Sequence, residues 1–159
     1  MKTLELKPIG IIHSPFKQAE GTPIQPAFAE AAEGIVEVFN EYTEGLKDLD
    51  GFERIWLIYW LDRAKVFKLQ VIPYMDTQKR GLFATRAPSR PNPIGVSSVK
   101  LKQIMGNKIY VQGLDILDET PLLDIKPYVS RFDCFDTLRN GWLNIADIDR
   151  HIADDRFHK

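Results

Sequence analysis

Residues 54–61 read RIWLIYWL, and seven of these eight side chains are apolar. A run of this length, rich in aromatic and β-branched residues, is typical of a β-strand rather than a helix. Because no polar residue interrupts it after Arg54, the pattern predicts a central strand that is buried on both faces. We therefore expect this strand to organise the core of the protein.

Further short β-like segments lie on both sides of this run, at residues 9–12, 34–39, 66–72, 81–85, 96–104, 108–114 and 122–129. The turn residues Met105-Gly106-Asn107 separate two of them and predict a hairpin. Helical signals are few: a short turn or helix within 43–49, and a helix over 144–157 with Asn144 as its N-cap. The fold class expected is all-β to β-rich, a barrel or a sandwich with short helices and a C-terminal helical segment.

Length and composition narrow the class of protein. A chain of 159 residues with ordinary apolar and charged content favours one domain. The single cysteine, Cys134, excludes an internal disulfide, and three scattered histidines predict no metal site. No apolar run is long enough to span a bilayer as a helix, and the charged start favours no secretory leader, so we expect a cytoplasmic protein. The motifs GxGxxG, GxxxxGK[ST] and GxSxG do not occur, which leaves Rossmann, P-loop and serine-hydrolase functions unsupported.

Charge is distributed unevenly, although the formal net charge is only -1. Residues 77–114 contain seven basic residues and no acidic one, whereas the segments on either side are acidic. This asymmetry favours a surface for an anion, with phosphate the commonest candidate. The alternative is a set of solvated strand faces. The basic residues are Lys79, Arg80, Arg86, Arg90, Lys100, Lys102 and Lys108.

A proline-rich loop follows within this basic region. Three prolines lie between residues 88 and 93, and they fix the backbone and remove hydrogen-bond donors. Arg86, Arg90 and Asn92 project from this stiff loop, and preorganised guanidinium groups suit recognition of carboxylate or phosphate. The alternative is a structural corner whose arginines pair with the protein's own acids.

Residues 117–128, LDETPLLDIKPY, place three carboxylates within seven residues, at Asp118, Glu119 and Asp124. Asp118 and Thr120 could form a turn through bonds from side chain to backbone. They could equally present oxygen atoms to a cationic or hydroxylated ligand, and spacing alone leaves both open.

Three blocks of sequence together resemble the TsaA-like (YaeB-like, TrmO-type) proteins, a family that includes S-adenosylmethionine-dependent tRNA N6-adenosine methyltransferases. The blocks are GIIHSPF at 10–16, FATR at 83–86 running on to RPNPIG at 90–95, and residues 118–128. The resemblance covers roughly residues 6–143. It implies a small antiparallel β-barrel over 1–143, with 144–159 as a C-terminal helical tail of the same domain, and a homodimer. The implied reaction methylates N6 of a threonylcarbamoylated adenosine next to the anticodon of tRNA.

The resemblance also implies which residues contact S-adenosylmethionine. Carried over by position, they are Pro23, Ile24, Gln25, Leu61, Asp62, Arg86, Val96, Leu117, Asp118, Glu119 and Thr120. Three positions depart from the pattern of many members: Ile24 replaces Arg, Asp62 replaces His, and Glu119 replaces Gly. Glycine at the last position could allow a positive φ that glutamate resists. Some bacterial members carry a further C-terminal domain, whereas the present sequence ends soon after the expected barrel. We therefore expect its RNA contacts to come from the barrel or from the dimer surface.

Roles for the charged residues follow from this expected chemistry. Asp62, Asp118 and Glu119 could favour a bound cation, and Arg86 or Arg90 could pair with the threonyl carboxylate of the acceptor. Asn92 would join them at the substrate. No general base is assigned; His13, Asn92 and Asp118 are weak candidates for a catalytic role. Phosphate contacts are expected from Lys79, Arg80, Lys100, Lys102 and Lys108. The alternatives are an RNA-binding barrel without catalysis, or a methyltransferase of this family with another acceptor.

Overall fold

Six antiparallel strands close into a barrel. The computed structural model describes residues 2–146, 151–154 and 156–157. The strands are β1 Gly10–His13, β2 Glu33–Val38, β3 Arg54–Trp60, β4 Gln70–Val71, β5 Arg80–Gly81, β6 Ile94–Met105, β7 Lys108–Gln112 and β8 Thr120–Pro127. The order around the barrel is β1-β2-β7-β6-β3-β8, and β4 and β5 pair outside it. The predicted antiparallel barrel is confirmed.

Short helical segments connect the strands. They are the 3-10 helices Pro26–Phe28, Asn40–Leu46, Leu49–Gly51, Leu82–Ala84 and Gly141–Ile145, and the single-turn α-helix Ser130–Asp133. The turn or helix predicted within 43–49 is confirmed as part of two of these 3-10 segments.

The long apolar strand β3 lies between β6 and β8, but it is not buried on both faces as predicted. Its side chains alternate: Ile55, Leu57 and Tyr59 point into the core, whereas Trp60 is 45% exposed. A closed barrel has a single interior, so each strand can bury only one face completely. Trp56, on the outer face, is covered in part by the ring of Tyr128, 5.6 Å away between centroids.

The barrel interior is filled by aliphatic side chains from all six strands and from the segment after β7. These residues are Ile12, Val36, Val38, Ile55, Leu57, Val99, Leu101, Ile109, Val111, Leu114, Ile116 and Leu122. The predicted β6–β7 hairpin is confirmed, and Gly106 in its turn has a φ of +60°. Such a backbone angle favours glycine, which explains the choice of residue there.

Two predicted strands are much shorter than expected. Only Gln70 and Val71 of residues 66–72 form a strand, and it pairs with Arg80–Gly81. In residues 81–85, Leu82–Ala84 form a 3-10 turn, because the Thr85 amide and hydroxyl both donate to the Leu82 carbonyl. Side chain-to-backbone bonds of this kind compete with strand pairing.

The C-terminal helical segment begins earlier than predicted. Asn144 lies inside the 3-10 helix Gly141–Ile145, whose N-cap is Asn140. Residues 151–153 instead run beside the loop at 21–24: the Ala153 amide donates to the Thr22 carbonyl at 2.9 Å, and the Ile24 amide donates to the His151 carbonyl at 3.0 Å. Backbone groups paired in this way are unavailable to a helix. The rest of the predicted helix, at 147–150 and 155, lies outside the described residues.

Within the part of the chain that the structure describes, no helix is both long and apolar enough to cross a membrane.

Candidate active site

A cavity of about 780 Å³ lies where β3 ends and β6 and β8 begin. Antiparallel neighbours bring these three strand termini to the same end of the barrel. The volume falls within the range of about 300–1,000 Å³ that small-molecule sites occupy. The walls come from several parts of the chain. They are the loop at 19–25, the loop at 61–64, residues 73–75, residues 83–90 of the proline-rich loop, the start of β6, the segment 115–120, and residues 142, 143 and 153.

Nine of the eleven residues that the family resemblance assigns to S-adenosylmethionine line this cavity. They are Pro23, Ile24, Gln25, Leu61, Asp62, Arg86, Val96, Leu117 and Thr120. They come from five separate parts of the chain, so the fold, not the sequence spacing, brings them together. The remaining two, Asp118 and Glu119, belong to the adjoining turn, but neither is among the lining residues.

The Asp118 carboxylate holds the turn 117–120 to the loop that follows β1. It accepts hydrogen bonds from the Ser14 amide, at 2.9 Å, and from the Lys17 ammonium group. The bond from Lys17 is the main reason that the pKa of Asp118 lies below its usual value. This carboxylate therefore has partners within the protein, and its predicted contact to the methyl donor stays a prediction.

The same two segments are joined by backbone and hydroxyl contacts. The Ser14 hydroxyl donates to the Ile116 carbonyl at 2.6 Å, and the Asp118 amide donates to the Phe16 carbonyl at 2.7 Å. These bonds join the segment 14–16 directly to the segment 116–118. Together they fix the cavity wall at Leu117.

Glu119 adopts a left-handed backbone conformation, with a φ of +61°. This is the conformation that the glycine found in many family members would accept without strain. Its side chain is exposed. The departure at this position is therefore tolerated at some cost in backbone energy.

Replacing Glu119 with glycine is expected to raise the free energy of unfolding by up to about 1 kcal/mol, because strain relief exceeds the added entropy of the unfolded chain. Chemical denaturation would measure it. Glu119→Ala is the matched control and should give no gain, since alanine keeps the Cβ. Equal effects of the two variants would contradict this account.

Arg86 and Arg90 both line the cavity, and neither contacts a carboxylate among the described residues. Arg86 Nη1 donates to the neutral Gln25 Oε1 at 2.6 Å. Arg90 Nη1 instead points back at its own loop and donates to the carbonyls of Thr85, at 2.9 Å, and Ala87, at 3.3 Å. The two predicted anion ligands therefore differ: Arg90 braces the proline-rich loop, whereas exposed Arg86 forms no direct ion pair among the described residues, although its charge acts on Asp115.

The structure does not bring the other catalytic candidates to the cavity. His13 ends β1, and its Nε2 lies 3.3 Å from Glu37 Oε2 on the outside of the barrel. Asn92 is exposed in the proline-rich loop, and its carbonyl accepts the Ile94 amide. Neither residue lines the cavity.

The basic region does not form a single patch. Arg80 pairs with Asp76 at 2.6 Å and lies over the ring of Trp142, at the rim of the cavity. Lys79 is exposed in the loop before β5. Lys100, Lys102 and Lys108 are exposed along the outside of β6 and β7, progressively further from the start of β6. Their roles in RNA binding stay predictions.

Sequence reasoning missed a polar cluster that lies where the barrel interior meets the cavity. The Ser97 hydroxyl donates to Asp115 Oδ1 at 2.7 Å and lies 3.0 Å from the Tyr59 hydroxyl. Tyr59 and Asp115 line the cavity, and Ser97 is only 1% exposed. The available signal was Asp115 itself, a lone carboxylate in the apolar run LDIL at 114–117.

Sequence reasoning also missed the cover that the C-terminal region gives the cavity. Trp142 Nε1 donates to the Ala84 carbonyl at 2.7 Å, so the 3-10 helix Gly141–Ile145 is attached to the proline-rich loop. Leu143 and Ala153 complete this wall. Trp142 and Ala84 lie 58 positions apart in the chain, so no local sequence pattern could have predicted this hydrogen bond.

Known proteins share the sequence and the fold of this chain. Residues 11–134 match the model of the tRNA-methyltransferase O N-terminal domain. A probable S-adenosyl-L-methionine-binding protein of Pyrococcus abyssi is 54% identical over 153 residues, covering 95% of this chain and 83% of the relative. The tRNA (adenine(37)-N6)-methyltransferase of Mus musculus is 34% identical over 80% of this chain and 31% of its own length.

A solved structure of TrmO from Pseudomonas aeruginosa superposes with a TM-score of 0.76 at 36% sequence identity. The match covers 91% of this chain and 63% of the TrmO chain, so the present protein spans about three fifths of that structure. Fold, motif order and family model agree, and the chain therefore belongs to the family of the tRNA-methyltransferase O N-terminal domain.

Proposed function

We propose that this protein is an S-adenosylmethionine-dependent methyltransferase that modifies N6 of threonylcarbamoyladenosine next to the anticodon of tRNA. One observation carries the proposal: nine residues assigned to the methyl donor by resemblance converge on one cavity. The names of the relatives support both halves of it, since one relative is a probable S-adenosyl-L-methionine-binding protein and another a tRNA methyltransferase.

The residues of the cavity fit the donor. Ile24, Leu61 and Val96 offer apolar surface to an adenosine ring, and the segment 117–120 adds backbone groups. The donor supplies an electrophilic methyl group. The protein's contribution is to hold the acceptor nitrogen in line with that group at about 3 Å and to exclude water, which is worth several kcal/mol of barrier.

Arg86 fits the acceptor. Threonylcarbamoyladenosine carries a carboxylate that unmodified adenosine lacks, and a guanidinium group can bind it through two parallel hydrogen bonds. Arg86 lies exposed at the cavity, with only Gln25 as a hydrogen-bond partner among the described residues. Selection of the modified nucleoside is assigned to this residue.

A homodimer and a cytoplasmic location belong to the same proposal. Phe132, Phe135 and Leu138 are 70%, 76% and 99% exposed, which supports burial against a second copy. Enzymes that modify tRNA act where tRNA is found, so the cytoplasm is the location expected. Light scattering of the purified protein would measure the mass of the assembly.

The proposal is tested with purified protein, S-adenosylmethionine and two tRNA preparations, one threonylcarbamoylated and one unmodified next to the anticodon. Mass spectrometry of the digested nucleosides should show N6-methylated threonylcarbamoyladenosine from the first preparation only. Donor binding without this product would support another acceptor. Calorimetry that detects no donor binding would instead support an RNA-binding module without catalysis.

A further inference from the structure

The cluster of Tyr59, Ser97 and Asp115 has a defined hydrogen-bond direction. An ionised carboxylate only accepts, so the single Ser97 proton is directed at Asp115 Oδ1, 2.7 Å away. The Ser97 oxygen must then accept the proton of the Tyr59 hydroxyl, 3.0 Å away. The hydrogen bonds therefore run from Tyr59 through the buried Ser97 to Asp115, and both ends of this chain line the cavity.

The backbone is built around this arrangement. Tyr59 pairs with Gly95 across β3 and β6, and a Cβ at Gly95 would lie 2.2 Å from the Tyr59 ring. Only glycine lets the ring lie flat against β6 and reach Ser97. Because Ser97 and Tyr59 are 1% and 7% exposed, both hydroxyls depend on each other and on Asp115 for partners.

Asp115 lies in an environment that disfavours its charge. Burial raises the pKa of Asp115 to about 6, against the opposing influences of the Ser97 hydrogen bond and the Arg86 charge. Burial, with the Asp115 charge, also raises the pKa of Tyr59 above its usual value. Among the described residues, Ser97 from β6 contacts Asp115 directly, Tyr59 from β3 is linked to it through Ser97, and the Arg86 charge acts on it.

The proposed acceptor needs a base. Its N6 is bonded to a carbonyl carbon, as in a urea, so its lone pair is delocalised and the nitrogen is a poor nucleophile while it keeps its proton. A carboxylate whose pKa lies near neutrality is suited to accept such a proton during the reaction. Asp115 is partly buried, lines the cavity, and has only the Ser97 hydroxyl as a side-chain hydrogen-bond partner among the described residues.

We propose that Asp115 is the general base, which accepts the N6 proton of the acceptor as the methyl group is transferred, and that Ser97 and Tyr59 position its carboxylate. This assignment rests on the proposed function. The N6 lone pair forms the new bond to the methyl carbon while the carbon–sulfur bond breaks and its electron pair remains on sulfur. The N6 proton passes to Asp115, and the products are the methylated nucleoside, S-adenosylhomocysteine and a protonated carboxyl group that solvent later deprotonates.

The test compares Asp115→Asn with the wild-type protein. The single-turnover rate of methyl transfer to threonylcarbamoylated tRNA should fall about a hundredfold to ten-thousandfold. Affinities for S-adenosylmethionine and S-adenosylhomocysteine, measured by calorimetry, should stay within about threefold. Asp124→Asn is the matched control, because Asp124 on β8 pairs with Lys126 and does not line the cavity.

A second variant keeps the proposal falsifiable if Asp115→Asn unfolds. The wild-type rate should rise with pH through about 6 and level off above it, because a base acts only when deprotonated. Ser97→Ala removes a bond that favours the charged form, so this rise should move to higher pH. Carboxyl 13C NMR titration should show the same upward shift in the pKa of Asp115 without any turnover.

Three results would overturn the assignment. A rate for Asp115→Asn within about threefold of the wild type would exclude a base at this position. A selective loss of affinity for S-adenosylmethionine, with S-adenosylhomocysteine unaffected, would make Asp115 a partner of the positive sulfur instead. A pH profile unmoved in Ser97→Ala would also contradict it. A wild-type protein that transfers no methyl group to threonylcarbamoylated tRNA would overturn the proposed function itself.

Discussion

Replacing Arg86 with alanine is expected to lower kcat/KM for threonylcarbamoylated tRNA about tenfold to a hundredfold. The loss corresponds to about 1.5–3 kcal/mol, the usual contribution of a hydrogen bond to a charged group. The structural reason is that Arg86 lies at the cavity without a carboxylate partner among the described residues, held only by Gln25 at 2.6 Å. Arg86→Lys should recover part of the loss, because lysine keeps the charge but not the planar fork.

The control is Arg139→Ala, since Arg139 is exposed and does not line the cavity. Steady-state methylation of modified tRNA measures all three variants under the same salt concentration, because phosphate contacts depend on salt. Unchanged kinetics in Arg86→Ala would show that the acceptor carboxylate is bound elsewhere.

Replacing Leu57 with alanine is expected to lower the free energy of unfolding by about 2–5 kcal/mol. Leu57 lies on β3 at the centre of the barrel and is completely buried, so its truncation removes apolar contacts and leaves a void. Domains of this size have only about 5–15 kcal/mol of stability in total, so the effect is large. Urea denaturation followed by tryptophan fluorescence would measure it.

Leu4→Ala makes the same chemical change at a position that is 78% exposed, and it should change stability by less than about 0.5 kcal/mol. Similar losses in the two variants would contradict the description of β3 as the strand that organises the core.

The pattern of the chain predicted the barrel well where strands are long and hairpins are local. The β6–β7 hairpin could be predicted because its turn residue, Gly106, separates two β-like segments in the sequence. The pattern failed at β3, because an uninterrupted apolar run cannot distinguish a strand buried on two faces from one whose outer face is partly covered by neighbours such as Tyr128. It failed at Leu82–Ala84 because a side-chain bond from Thr85 overrides strand propensity.

Some features of the candidate site could be predicted from the sequence, and others could not. Resemblance identified the loops that carry Gln25, Arg86 and Leu117, and the fold brings them to one cavity. It did not identify the link between Asp115 and Ser97, because that hydrogen bond joins strand β6 to the loop between β7 and β8, 18 positions along the chain. It also predicted a role for Asp118 at the ligand, and it did not predict that the Asp118 carboxylate accepts hydrogen bonds from Ser14 and Lys17.

The position of the methyl donor is the central claim, and a crystal structure with S-adenosylhomocysteine tests it most directly. The account predicts that the ligand occupies the cavity at the end of β3, in contact with Ile24, Val96 and Leu117, with its sulfur facing the side of the cavity that holds Asp115. A ligand bound at any other surface, or a cavity left empty at saturating ligand, would contradict it.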